Sequence, residues 1–169
     1  GGMGAKLGLG ERDLPDHSYA RNMRVAITGS TGLIGSALTP HLESLGHEVI
    51  RVVRADPTGT DITWSPADGR IDPHALDGLD AVVHLAGAGI GDKRWTDEYK
   101  RELLESRTKG TTLISEAIAS ASDGPNVLLS GSAIGIYGAR GDEELTEASA
   151  PGDGFLADIC VQWEASTKA

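Results

Sequence analysis

The sequence predicts an α/β fold built as a doubly wound parallel sheet, and three observations carry that expectation. From Met23 onward, short apolar runs alternate with longer segments of helical periodicity, the pattern of stacked strand-helix-strand units. The run Ala81 to Leu85 is apolar apart from His84, as expected of a central strand covered by helices on both faces. A glycine-rich segment, Gly29 to Gly35, joins the first strand pattern directly to the first helical one.

The elements follow in order. Arg24 to Thr28 forms the first strand, and a helix runs from about Gly32 to Leu45 with Gly46 as its stop. Glu48 to Val53 is the second strand. Pro57, Gly59 and the turn signal Asp68-Gly69 then break the pattern, and Ile62-Thr63-Trp64 between them reads as a third strand or one arm of a hairpin. Ala81 to Leu85 follows and ends in Ala86-Gly87-Ala88-Gly89. Thr96 caps a long helix whose first turn carries Asp97 and Glu98, acidic side chains that complement the helix dipole. Tyr99, Leu103, Ile114, Ala117, Ile118 and Ala121 give that helix one buried face. Val127 to Leu129 is the next strand, Ser130 to Gly141 a loop, and Asp153 to Lys168 a further helix. Four or five parallel strands are expected in all.

Composition and charge narrow the function classes. With 169 residues, 39% apolar and 24% charged, the chain can bury a core. One domain is expected over residues 23–169, preceded by a tail or linker at residues 1–22, which show no clear periodicity. A formal charge of -10 and the lack of clustered Lys and Arg argue against a nucleic-acid partner. No run of about 18 apolar residues offers a membrane span, and no signal-peptide pattern opens the chain, so a cytoplasmic protein is expected. Cys160 stands alone, which excludes an internal disulfide and a cysteine-based metal site; no metal is expected.

The segment Gly29-Ser30-Thr31-Gly32-Leu33-Ile34-Gly35 carries the main chemical signal. Gly29 permits the tight turn out of the strand, Gly32 lets a pyrophosphate approach the backbone, and Gly35 lets the helix pack closely on the sheet. The helix start then offers free N–H groups to phosphates, so an acidic protein can still bind an anion. A tight turn without ligand is the alternative. Proteins that bind NAD place an acid about 20 residues beyond such a loop, to grip the ribose hydroxyls. Here Arg54 stands there, after Val53, and a guanidinium suits the 2′-phosphate of NADP. NAD remains possible, with Asp56 to accept from its ribose, and a solvated strand-end charge is the other reading of Arg54.

Five stretches together resemble one family: MRVAITGSTGLIGSAL, HLAGAGIGDKRW, LLESRTKGT, GSAIGIYG and GFLADICVQWEA. Over Met23 to Ala165 the chain resembles the atypical, extended short-chain dehydrogenase/reductases of the NAD-dependent epimerase-like type. The resemblance implies a Rossmann domain that binds NADP through Gly29 to Gly35, through Val53 and Arg54, and through Leu85, Ala86 and Gly87. It adds Glu102 and Arg107 on the long helix, which spacing alone would leave on the surface. Members are about twice as long, so the resemblance also implies a chain that stops short of the part forming most of the substrate pocket.

Active members of the wider superfamily use a Tyr with a Lys four residues on, the Lys and cofactor lowering the tyrosine pKa for proton transfer. Tyr19, Tyr99 and Tyr137 are instead followed at that distance by Met23, Leu103 and Gly141, and the family positions fall near Leu156 and Cys160. Ser132 and Tyr137 are the candidate catalytic residues, with a loop-capping hydroxyl and a packing aromatic as the alternatives. His84 is expected to be a satisfied core histidine, and Cys160 an inert helix residue without a basic neighbour. The expected function is an NADP(H)-dependent oxidoreductase or epimerase-like enzyme acting on a small molecule, a nucleotide sugar being one candidate. The alternatives are a non-catalytic NADP-binding sensor or interaction protein, and a scaffold without ligand.

Overall fold

The computed structural model describes residues 21–168, so all but the last two residues of the expected tail lie outside it. Among the described residues six strands form one sheet: β1 (Arg24–Thr28), β2 (Glu48–Val53), β3 (Ile62–Ser65), β4 (Arg70–Ile71), β5 (Ala81–His84) and β6 (Val127–Ser130). Their order across the sheet is β4-β3-β2-β1-β5-β6. All neighbours pair in parallel except β3 and β4, which are antiparallel. Both readings of Ile62-Thr63-Trp64 therefore hold at once. β3 extends the parallel sheet and is also one arm of a hairpin, whose turn contains Gly69 at φ 63°.

Three α-helices among the described residues complete the layers: α1 (Leu33–Ser44), α2 (Asp97–Ser120) and α3 (Phe155–Ala165). Alternation along β1 sends Val25 and Ile27 to one face of the sheet and Ala26 to the other. The first pair packs with Ala81, Val83 and the α1 residues Leu38 and Leu42. Ala26 packs with Ile50, Val52, Trp64, Val82 and the α2 residues Ile114 and Ala117. Helices thus cover both faces, which is what doubly wound means physically. Tyr99 and Leu103, on the same α2 stripe, join Ile159 and Phe155 and dock α3.

Boundaries shift where caps decide them. Gly32 is the N-cap of α1 rather than its first residue, and Gly46 stops the chain's helical course at φ 86°. Thr96 caps α2 as expected, accepting from the Tyr99 N–H at 3.2 Å. The last helix is shorter than the expected Asp153 to Lys168, because Gly154 at φ 100° forces the turn into it. The expected loop Ser130 to Gly141 loses Ser130 to β6 and contains a 3-10 turn, Ile134–Tyr137. No helix among the described residues is long and apolar enough to cross a membrane.

Candidate functional site

The strand order runs outward in both directions from β1 and β5, so the connections leave their C-terminal ends on opposite faces and open a crevice there. The glycine loop lies at that point. Gly29 turns out of β1 at φ 69°, and a Cβ on it would sit 2.9 Å from the Ala86 nitrogen and the Leu85 carbonyl carbon. It therefore serves both the turn and the contact between the loops that follow β1 and β5. A Cβ on Gly35 would collide with the Gly29 oxygen and come within 2.7 Å of the Ser30 Cα. The expected close packing of the helix is thus against the loop itself.

Gly32 donates to the Gly29 oxygen at 3.0 Å and supplies no capping side chain, and the first turn of α1 carries no acid. The N–H groups of Leu33, Ile34 and Gly35 have no helical carbonyl to meet. Leu33 and Ile34 leave their side chains 92% and 63% exposed. Ser30 is buried and Thr31 exposed. This is a bare, positive helix end bordered by apolar surface, a fit for a phosphate-bearing dinucleotide.

β2 borders the loop, with Val52 opposite Thr28. Val53 closes the strand half-buried, and Arg54 follows exposed, with no hydrogen-bond or ion-pair partner among the described residues. Asp56 is exposed in the left-handed region at φ 51°.

On the other side, Leu85 and Ala86 donate their N–H groups to the Thr28 Oγ1 at 3.1 and 3.2 Å. That oxygen also lies 2.7 Å from the His84 Nδ1, and the His84 Nε2 lies 3.0 Å from the Thr111 Oγ1. Because the Thr28 oxygen accepts two amide protons, its own proton points to Nδ1, and Nε2–H donates to Thr111. His84 is fully buried, and burial pulls its pKa down to about 4. It is the satisfied core histidine that was expected, and it locks the ends of β1 and β5.

Glu102 and Arg107 part company. Glu102 is exposed and pairs with Lys93 at 3.0 Å. Arg107 is buried, which corrects the surface position that spacing alone suggests. Its Nη1 donates to the Ala88 and Leu103 carbonyls at 3.0 Å each, its guanidinium lies 5.2 Å from the Trp163 ring, and it supports Gly87 from below. It pairs with no carboxylate among the described residues. Arg107 also faces Cys160, which therefore has the basic neighbour it was expected to lack. Burial still pushes the Cys160 thiol up, so it stays protonated.

Ser132 and Tyr137 share a segment but face different surroundings. The Ser132 Oγ donates to the Glu164 Oε1 at 2.5 Å, and the two line a groove with Gly131, Ile136 and Val161. Tyr137 ends the 3-10 turn, half-buried and outside that groove's lining. Glu164 escaped the sequence reading; its position four residues after Cys160, on one face of α3, was the available signal. No group of three or more His, Cys, Asp or Glu side chains is placed to hold a metal among the described residues.

A parallel sheet that reverses at β1 and β5, with an uncapped glycine-rich helix start at the reversal, defines the Rossmann class of fold. Within that class, the sequence pattern described as NAD dependent epimerase/dehydratase family matches residues 25–154, and the chain belongs to that family. An epimerase family protein of Mycobacterium bovis is 45% identical over 148 residues, which cover 87% of this chain and 48% of that protein. A crystal structure of a nucleoside-diphosphate sugar epimerase from Corynebacterium glutamicum is similar at TM-score 0.76 and 42% identity, over 87% of this chain and 30% of the other. The human epimerase family protein, solved with NADPH, is similar at TM-score 0.76 and 36% identity, over 86% of this chain and 49% of its own. The chain spans about half the length of the curated relatives it matches.

Proposed function

We propose that this chain holds a nicotinamide dinucleotide, NADP(H) in preference to NAD(H), across the C-terminal ends of β1, β2 and β5. The uncapped start of α1 carries this reading: a glycine cradle leaves backbone N–H groups with no partner among the described residues. Gly29 to Gly35 would take the pyrophosphate, Arg54 the 2′-phosphate, and Val53, Leu85, Ala86 and Gly87 the adenosine side. Arg107 adds a buried positive charge beneath Gly87. Glu102 is the weakest member of the set, being engaged with Lys93. NADPH in the human relative supports the choice of cofactor.

The bound nicotinamide would supply hydride exchange with a small-molecule substrate, in a cytoplasmic oxidoreductase or epimerase. A nucleotide sugar is the substrate class favoured by the description of the Corynebacterium relative. Ser132, hydrogen-bonded to Glu164, is the better placed of the two catalytic candidates, because it lines an open groove. A second reading, a non-catalytic NADP-binding sensor, draws on Leu156 and Cys160 at the positions where the resemblance places a proton-transferring Tyr and the Lys that lowers its pKa. Turnover with a panel of nucleotide sugars separates the two.

Calorimetric titration with NADPH and NADH tests the binding. NADPH is expected to bind about tenfold more tightly or better, and Arg54→Ala to lose that margin while NADH affinity holds. Binding of neither cofactor would leave the loop a tight turn in a scaffold and overturn the proposal.

A further inference from the structure

The loop that carries Arg54 is tied at its base by a knot of side chains. The Asp61 side chain is 6% exposed, and its carboxylate lies where the loop re-enters the sheet just before β3. Oδ1 accepts from the Arg51 Nε at 3.0 Å, and Oδ2 accepts from the Arg51 Nη2 at 2.5 Å. Oδ2 also takes the Thr58 N–H at 2.8 Å and the Thr58 hydroxyl at 3.1 Å. Arg51 reaches the Thr58 Oγ1 as well, at 2.8 Å, and the Asp61 N–H donates to the Thr58 carbonyl. One carboxylate thus joins β2, the loop and the start of β3. Backbone pairing there is thin: β2 and β3 share only the positions Val52 with Ile62 and Val53 with Thr63.

The same knot sorts the charges at the strand end. Arg51 and Arg54 are three residues apart on β2 and just beyond it, yet Arg51 is consumed by Asp61 while Arg54 has no partner among the described residues. Arg51 also holds the Asp61 carboxyl below the ordinary carboxylate range, so its negative charge is matched and turned inward. Released, that carboxylate would repel a phosphate and accept from a ribose hydroxyl, favouring the wrong cofactor. An arginine on a backbone held in place also loses less freedom on binding than one carried by a loose loop.

We infer that Asp61 and Arg51 are positioning residues for the 2′-phosphate site, holding residues 54–60 so that Arg54 alone presents its charge to the cofactor. The inference rests on the assignment of Arg54 above. Wild type and Arg54→Ala first report on that assignment: if wild type shows no preference for NADPH, or Arg54→Ala keeps it, the assignment fails and the inference falls with it. With the assignment standing, Asp61→Asn is titrated with both cofactors. The expected result is a fall of about fivefold or more in the ratio of NADPH to NADH affinity, with NADH affinity held within about twofold. An unchanged or raised ratio, or equal weakening of both cofactors, would show that the knot does not position Arg54 and would overturn the inference. Should Asp61→Asn not fold, Arg51→Lys keeps the charge pair and removes the two-pronged geometry. It is expected to lower the ratio by a smaller factor in the same direction, and a ratio equal to wild type would overturn the inference.

Discussion

Gly35→Ala is expected to cost about 3 kcal/mol of folding stability and to abolish dinucleotide binding. The methyl would be driven into the Gly29 oxygen and the Ser30 backbone, both of them main chain, so no side chain can swing aside. Relief requires α1 to move off the loop, which opens the cradle. Denaturant unfolding reads the first effect and calorimetry the second. Gly32→Ala should separate them, because its Cβ would meet only the Gly29 oxygen at 3.3 Å while its other side faces the expected pyrophosphate. That variant should fold at a cost of about 1 kcal/mol and still lose more than about tenfold in cofactor affinity. Equal loss of stability in the two variants would refute the division of roles among the glycines.

His84→Ala should be about as damaging, at roughly 3–4 kcal/mol, since it leaves a cavity and strips partners from the Thr28 and Thr111 hydroxyls. The pH dependence gives a sharper signature. In the fold His84 is neutral down to about pH 4, whereas in the unfolded chain it takes a proton near 6.5. Above 6.5 the two states bind alike and the group contributes no slope. Between 6.5 and about 4 the unfolded chain holds the extra proton, so stability falls as pH falls, by about 3 kcal/mol across the window. Asp61, Asp68, Asp77, Glu105 and Glu143 have lowered carboxyl values, so they contribute stability above their unfolded range and lose it at lower pH, toward the acid end of this window. His84→Gln should be less stable at neutral pH yet lose the slope between 6.5 and 4. A slope that survives the substitution would show that other groups carry it.

The local features were legible in the sequence and the long-range ones were not. β1 and β2 have the expected ends because each is a short apolar run closed by a glycine loop, a turn or a charge. The cradle was legible because the positions of Gly29, Gly32 and Gly35 follow from backbone geometry within one turn of chain. The Thr28, His84 and Thr111 network joins residues separated by 56 and 27 positions, and nothing in periodicity links them. Arg107 looked like a surface charge because its partners are carbonyls and a tryptophan face, none of which leaves the charge pattern that marks an ion pair. Glu164 was not legible, since its bond to Ser132 depends on how α3 docks against α2 and the 3-10 turn at Ile134–Tyr137.

The reversal at β1 and β5 also sets an order of events in folding. β1, α1 and β2 are consecutive and can meet early, whereas β5 must find its place beside β1 across a long stretch of chain. The Ala86 backbone that closes against Gly29 arrives only with β5. The crevice therefore comes into being late, and partly folded chains offer a dinucleotide nothing complete to hold. A ligand that recognises only the finished sheet adds to its stability by mass action and acts as a check on assembly.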